Sequence, residues 1–407
     1  MKCRHCKTEL ELEFLDLGNA PPSNAYLNKE DLRKPEITYP LRILTCTNCW
    51  LVQTEDYTDA DELFNDDYAY FSSTSKSWLK HASDYCVMIT NRLGLSDNSF
   101  VVEIASNDGY LLKNFVSSGI PCLGIEPTKS TAAAASAIGV PVRQEFFGKN
   151  MGLSMANAGE QADLVLGNNV FAHVPDINDF TEGVAALLKP NGVVTFEFPH
   201  LLQLIQKNQF DTIYHEHFSY LSLCSVSSIF KAAGLRVFDV EELKTHGGSL
   251  RIYGCIGDAS HKETSLVQDI LTNELQAGMQ DEKTYRAFQK SADKVKDGLV
   301  SFLLEAKAEG KTVAGYGAAA KGNTLMNYAG IRPDLIPFIC DAAESKIGQY
   351  MPASHIPILP PSVLDENTPD YLVILPWNIA EEVMKQNAHL VEKGTKFVIA
   401  VPELKII

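Results

Sequence analysis

The chain has 407 residues, 45% of them hydrophobic and 21% charged, with a formal net charge of -16. This length exceeds what one hydrophobic core organises, so two or three domains are expected, and the excess of carboxylates opposes binding to a nucleic-acid backbone. No apolar run has the length a bilayer requires, which argues against a membrane protein. Met1-Lys2-Cys3-Arg4-His5-Cys6 lacks the apolar stretch of a signal peptide and predicts a cytoplasmic protein.

Four of the nine cysteines form Cys3-x-x-Cys6 and Cys46-x-x-Cys49, two knuckles separated by 39 residues. In a reducing compartment four thiolates at this spacing predict one tetrahedral zinc ion. With sulfur in every position, no site stays open for water or substrate, so the zinc is expected to be structural. Cys86, Cys122, Cys224, Cys255 and Cys340 stand among apolar neighbours and read as buried thiols.

An aromatic and polar segment, Asp67-Tyr68-Ala69-Tyr70-Phe71-Ser72-Ser73, precedes a predicted helix over Ser77 to Leu93. Strands are then expected at Phe100 to Ile104, Cys122 to Glu126, Leu164 to Gly167 and Val193 to Glu197, with helix-compatible segments between them. Such alternation predicts a parallel sheet covered on both faces, with ligands bound beyond the carboxyl ends of its strands.

At the first of those ends, Glu103-x-Ala105-x-x-x-Gly109 departs from the dinucleotide fingerprint. It resembles the acidic, small-residue turn of S-adenosylmethionine-dependent methyltransferases, where small residues let the backbone approach the cofactor. The resemblance makes Glu103, Ala105, Asn107, Asp108 and Gly109 cofactor residues. Glu126 closes the second strand 17 residues after Gly109, where a carboxylate can accept bonds from ribose hydroxyls. Asp163 to Val174 resembles a later strand of that fold and the loop after it, which passes beside the reacting methyl; the resemblance adds Asn168 to the cofactor residues and puts Asn169 and His173 in that loop.

The densest cluster of proton-transfer groups is Tyr214-His215-Glu216-His217-Phe218-Ser219-Tyr220. If Ile213 to Leu221 is extended, His215 and His217 share one face and Glu216 takes the other, so a metal pair completed by His246 or His173 is geometrically open. His246-Gly247-Gly248 leads from a glycine turn into a strand carrying Arg251, which can meet a phosphate or pair with a carboxylate.

Apolar spacing from His261 to Gly310 predicts two connecting helices. A second strand, glycine turn and helix follows at Thr312 to Thr324, where Lys321 adds charge to a phosphate-compatible helix start. Taken alone, Gly315-x-Gly317 with downstream Asp341 suggests a nicotinamide-dependent dehydrogenase or epimerase, but Ala320 replaces the third glycine.

Taken in order, the zinc knuckles, EIASNDGYLL, NNVFAHVPD, IYHEHFSYLS, HGGSLRIY and GYGAAAKGNT resemble the C-methyltransferases of nucleotide-linked keto-deoxysugars over essentially the whole chain. The resemblance implies a zinc-binding region (1–66), a Rossmann-like methyltransferase domain (67–260), and linking helices with a Rossmann-like nucleotide-sugar domain (261–407). It implies S-adenosylmethionine as methyl donor and, as substrate, a 4-keto-deoxysugar on thymidine diphosphate in preference to other nucleotides, methylated at C3 rather than C5. In that reading His217 is the base, Glu216 and Tyr214 are its neighbours, and Tyr68, Asn169 and His173 contact the sugar. Arg251, Lys321 and Lys346 are candidate substrate contacts. Alkylation next to a ketone requires a base at the carbon and donors at the enolate oxygen, both of which this set contains. A non-catalytic zinc module would leave the histidine cluster without a purpose.

Overall fold

The computed structural model describes residues 1–56 and 71–407; Tyr68 lies outside the described residues. Near the amino terminus, β1 (Leu12–Ala20), β2 (Tyr39–Thr45) and β3 (Val52–Thr54) form an antiparallel sheet closed by β9 (Ser219–Tyr220), in the order β1-β2-β3-β9. The two knuckles are copies of one turn. Lys7 N–H donates to the Cys3 carbonyl and Trp50 N–H to the Cys46 carbonyl, and Lys7 and Trp50 have φ of 62° and 59°.

The helix forms over Lys76–Leu93, capped by the Ser75 hydroxyl and ended by left-handed Gly94. It introduces a seven-stranded sheet of β4 (Val101–Ile104), β5 (Cys122–Ile125), β6 (Val142–Arg143), β7 (Ala162–Asn168), β8 (Leu188–Pro199), β10 (Leu235–Leu243) and β11 (Ser249–Ile256), ordered β10-β11-β8-β7-β4-β5-β6. The chain winds outward from β4 through β5 to β6, then restarts on the other side at β7. A topological switch point therefore falls between β4 and β7, where ligands of open α/β sheets bind.

The four expected strands, β4, β5, β7 and β8, are parallel, whereas β11 runs antiparallel to both β8 and β10. No α-helix intervenes between β10 and β11, only a single 3-10 turn at Thr245–Gly247. Instead His246, Gly247 and Gly248 take φ of 52°, 90° and 131° and reverse the chain within a few residues. A reversed strand inserted between its predecessors gives the Rossmann-like arrangement of S-adenosylmethionine methyltransferases.

Two helices, Ser265–Gln276 and Glu282–Ala308, lead to a third sheet. Its strands are β12 (Val313–Tyr316), β13 (Ile339–Cys340), β14 (Ile358–Leu359), β15 (Tyr371–Ile374), β16 (Lys396–Ile399) and β17 (Lys405–Ile406), ordered β14-β13-β12-β15-β16-β17 and parallel except at β17. The longer helix lies between the first and third sheets: Phe14 on β1 stacks on Phe288 at 4.5 Å. Leu299 and Val373 share the same buried core. Among the described residues no helix is long and apolar enough to cross a membrane.

Candidate active site and structural metal centre

The four knuckle sulfurs lie within 4.8 Å of one another, with Cys3 to Cys49 at 3.6 Å and Cys6 to Cys46 at 3.4 Å. Zinc–sulfur bonds of about 2.3 Å in a tetrahedron place sulfurs about 3.8 Å apart, so the cluster fits the ion. Gln53 donates to the Cys3 sulfur at 3.4 Å, the outer-layer bond expected of a structural site. The alternative His215–His217 metal pair does not assemble: among the described residues Cys3, Cys6, Cys46 and Cys49 are the one group of three or more His, Cys, Asp or Glu side chains close enough to hold an ion.

The cofactor candidates meet at the switch point. After β4, Ala105, Asn107 and Gly109 take φ of 55°, 49° and 75°, folding the backbone into a shallow cradle. Gly109 allows the turn to rest on the helix Lys129–Ala137, since a Cβ there would stand 3.1 Å from that of Ala135. Glu126 ties the cradle to β5: its carboxylate accepts the Asn107 N–H at 2.9 Å, the Thr128 N–H at 3.0 Å and the Thr131 hydroxyl at 3.0 Å. With about four lone-pair sites on a carboxylate, that leaves room for one ribose hydroxyl rather than both.

Several buried polar atoms here have no protein partner: Glu103 Oε2, Ser106 Oγ, Asp108 Oδ1 and Asn168 Nδ2. Burial, then the neighbouring Glu126 and Asp108 carboxylates, raises Glu103 well above the ordinary glutamate range. A cationic ligand with hydrogen-bonding groups satisfies both deficits, so the residues fit S-adenosylmethionine. The Ser72 and Ser73 amides close one side, donating to Asn107 Oδ1 at 2.9 Å and Asp108 Oδ2 at 3.0 Å.

Beyond the cradle stand the histidines. Ile213 to Phe218 is irregular rather than extended, because the His217 N–H turns back to the Tyr214 carbonyl at 3.0 Å, and extended structure begins only at Ser219. His217 Nδ1 lies on the Thr212 carbonyl, and His173 Nδ1 on the Glu216 carbonyl at 2.6 Å. A carbonyl only accepts, so both Nδ1 atoms carry hydrogen and both Nε2 atoms carry a lone pair. The rings are 4.6 Å apart, with Tyr214 4.0 Å from His217. Burial, aided by His173, holds His217 well below its ordinary value, and burial lowers His173 to about 4. The side chain of Glu216 reaches Asn24 at 3.1 Å, and its second oxygen is buried without a partner. Asn169, at φ 57°, donates its amide to His246 Nε2 at 3.0 Å. Burial, then Lys321, lowers His246 to about 4.

Of the two roles left open for Arg251, the structure shows ion pairing. Its guanidinium meets Glu197 at 2.7 Å and Glu241 at 2.9 Å and lies over the Tyr85 ring, so it supports the sheet and is not presented to a phosphate. Burial pushes Glu197 up, but His81 and Arg251 outweigh it and hold the carboxylate ionised. Thr245 also donates to Glu197 at 2.9 Å, which anchors the turn carrying His246. Arg251→Met is expected to cost about 3 kcal/mol in urea unfolding, because a buried carboxylate loses its principal counter-charge.

The third sheet contributes Lys321, which bonds Asn378 at 2.7 Å, lies over Trp377 and is close enough to depress His217 and His246. Trp377 donates to Asp211 at 2.7 Å, and burial raises Asp211 to about 6. Asp211 and Trp377 were not legible as site residues, since neither belongs to a recognisable motif. Lys346 donates to the Ala318 carbonyl at 2.8 Å. Asp341 accepts the Ala318 amide at 2.7 Å and the Ala343 amide at 2.8 Å, so the carboxylate that a nicotinamide ribose would need already braces the glycine turn.

Three family descriptions match the chain: a zinc binding domain at residues 3–64, a methyltransferase domain at 78–240 and a C-methyltransferase C-terminal domain at 244–402. C-methyltransferase NovU of Streptomyces niveus is 36% identical over 406 residues, covering 100% of this chain and 96% of its own. A ubiquinone biosynthesis O-methyltransferase of Rhodopseudomonas palustris (strain TIE-1) is 29% identical over 94 residues, covering 23% of this chain and 37% of its own. Among solved structures, an S-adenosylmethionine-dependent methyltransferase from Clostridium acetobutylicum ATCC 824 has a TM-score of 0.36 and 14% identity, covering 48% of this chain and 96% of that one. End-to-end similarity to NovU, with all three regions matched in order, places this protein in the family of zinc-containing, S-adenosylmethionine-dependent C-methyltransferases.

Proposed function

We propose that the enzyme methylates the carbon next to the ketone of a nucleotide-linked 4-keto-deoxysugar, at C3 in preference to C5, with thymidine diphosphate as the preferred nucleotide. The observation that carries this reading is the pair of neutral imidazoles, His173 and His217, 4.6 Å apart between the cofactor cradle and the third sheet. His217 Nε2 takes the α-proton, and the electron pair moves onto the ketone oxygen as an enolate. Lys321 and the Tyr214 hydroxyl are the donors for that oxygen, while His173, presenting an acceptor, orients a sugar hydroxyl with Asn169. Bound S-adenosylmethionine supplies the electrophilic methyl group. Glu103, Asp108, Asn168 and one oxygen of Glu126 hold it, and Glu216 braces the histidine loop through Asn24.

A cavity of about 620 Å³ beside the Gly247–Gly248 turn, lined by Trp377 and by Lys207, Lys244 and Lys405 against one carboxylate, Glu242, supports room and a net positive charge for the nucleotide diphosphate. Incubation with methyl-labelled S-adenosylmethionine and a panel of keto-sugar nucleotides tests the substrate: label at C3 is expected, and label on oxygen contradicts the reading.

The acidity of His217 also predicts a pH profile. An exposed imidazole gains its proton below about 6.5 and ceases to be a base. With His217 held well below that value, kcat/KM is expected to stay level from about pH 7.5 to about pH 6 and to fall only at lower pH. A limb centred at about 6.5 would show a hydrated imidazole instead.

A further inference from the structure

Arg4 stands between the metal ligands Cys3 and Cys6, yet its side chain reaches into the methyltransferase body and is only 7% exposed. All five guanidinium hydrogens are used. Nη2 donates to the Thr54 carbonyl at 2.8 Å, Nε to the Phe218 carbonyl at 3.2 Å and Nη1 to the Pro175 carbonyl at 3.2 Å, while both Nη atoms bind the Asp56 carboxylate. The guanidinium carbon also lies 5.0 Å from the Phe218 ring centre.

Two of these carbonyls have a special place in the chain. Phe218 follows His217, and Pro175 ends the loop that carries His173. The hold is reinforced by β3, where the Thr54 hydroxyl donates to the His217 carbonyl at 2.5 Å and the Thr54 N–H to the Phe218 carbonyl at 3.1 Å. One side chain, rooted between two thiolates of the metal centre, thus ties both histidine loops to the same backbone.

We propose that Arg4 is a positioning residue that sets the spacing of His173 and His217 and makes it depend on the integrity of the four-cysteine centre. This deepens the reading in which His217 is the base. Cys3 and Cys6, joined through one ion, fix the Arg4 backbone from both sides, and its rigid planar fork transmits that constraint to two loops distant in sequence. A displacement of about 1 Å in a reacting group costs about 10²-fold in rate, so the fork has leverage on catalysis without touching substrate.

The test uses the zinc-loaded Arg4→Met and Arg4→Lys proteins. Lysine keeps the charge and the stem but lacks the fork, so it stands as the milder variant should methionine impair folding. Both are expected to retain one zinc and unchanged S-adenosylmethionine affinity, to lose about 10²-fold in kcat, and to shift the His217 titration, read by ring-labelled histidine NMR, upward towards about 6.5 as water enters. Wild-type kcat and titration in a zinc-retaining variant would overturn the proposal. So would a fall in kcat matched by equal losses of cofactor affinity or zinc, which marks general damage. His217→Asn separates the layers: full turnover there removes the base assignment, whereas the Arg4 effect on the ring titrations is read independently of it.

Discussion

His217→Asn is expected to lower kcat by about 10²–10⁴-fold while leaving S-adenosylmethionine affinity unchanged. Asparagine can replace the Nδ1 hydrogen donated to the Thr212 carbonyl, so the loop keeps its anchor. What it lacks is the basic lone pair of Nε2, the group assigned to the α-proton. Single-turnover methyl transfer, paired with calorimetry of cofactor binding, separates the two effects; near-normal turnover in a folded, cofactor-binding variant would remove His217 from the mechanism. His173→Asn is a useful companion: asparagine can keep the bond that Nδ1 makes to the Glu216 carbonyl at 2.6 Å but lacks the Nε2 acceptor assigned to a sugar hydroxyl, so kcat and sugar affinity should fall together.

Removal of the metal is expected to have the largest effect on stability. Structural zinc contributes about 10–16 kcal/mol of apparent binding energy in small peptides, comparable to the whole stability of a typical domain. Here Cys3, Cys46 and Cys49 belong to a hydrophobic core shared with Phe171, Val194 and Leu221 of the methyltransferase domain. The consequence therefore extends beyond the knuckles: Cys46→Ser should lose zinc, uncouple β3 from β9, and weaken the Phe14–Phe288 contact between the first sheet and the long helix. Zinc content and urea unfolding of Cys46→Ser measure this, with loss of the metal and of several kcal/mol of stability as the expected pair. A metal-free protein as stable as the parent would refute a structural role.

The parts of the architecture legible in the sequence depend on local or strongly periodic signals. The helix expected from Ser77 to Leu93 forms over Lys76–Leu93, and the strand expected from Phe100 begins one residue later, at Val101. Paired CxxC spacing announced the metal cluster because ligand geometry restricts the chain so tightly. The features that escaped depend on partners remote in sequence. The stretch around His217 follows no strand periodicity because its backbone is shaped by Thr54 and the Arg4 fork. β11 reverses because of a left-handed turn at His246, a conformation that composition does not reveal in a non-glycine residue. Arg251 carried a charge that suited a phosphate equally well until Glu197 and Glu241 were seen beside it. Lys321 was visible as a cation, but its place beside His217 required the third sheet to fold against the second.

The central claim concerns a proton, and solvent exchange measures it without methyl transfer. The enzyme is incubated in deuterium oxide with a thymidine diphosphate 4-keto-6-deoxyhexose and S-adenosylhomocysteine in place of the donor, and the sugar is followed by proton NMR. The account predicts deuterium at C3, abolished by His217→Asn in a protein that still binds both ligands. Exchange at C3 proceeding at the parent rate in that variant, or confined to C5 in the parent enzyme, would contradict it.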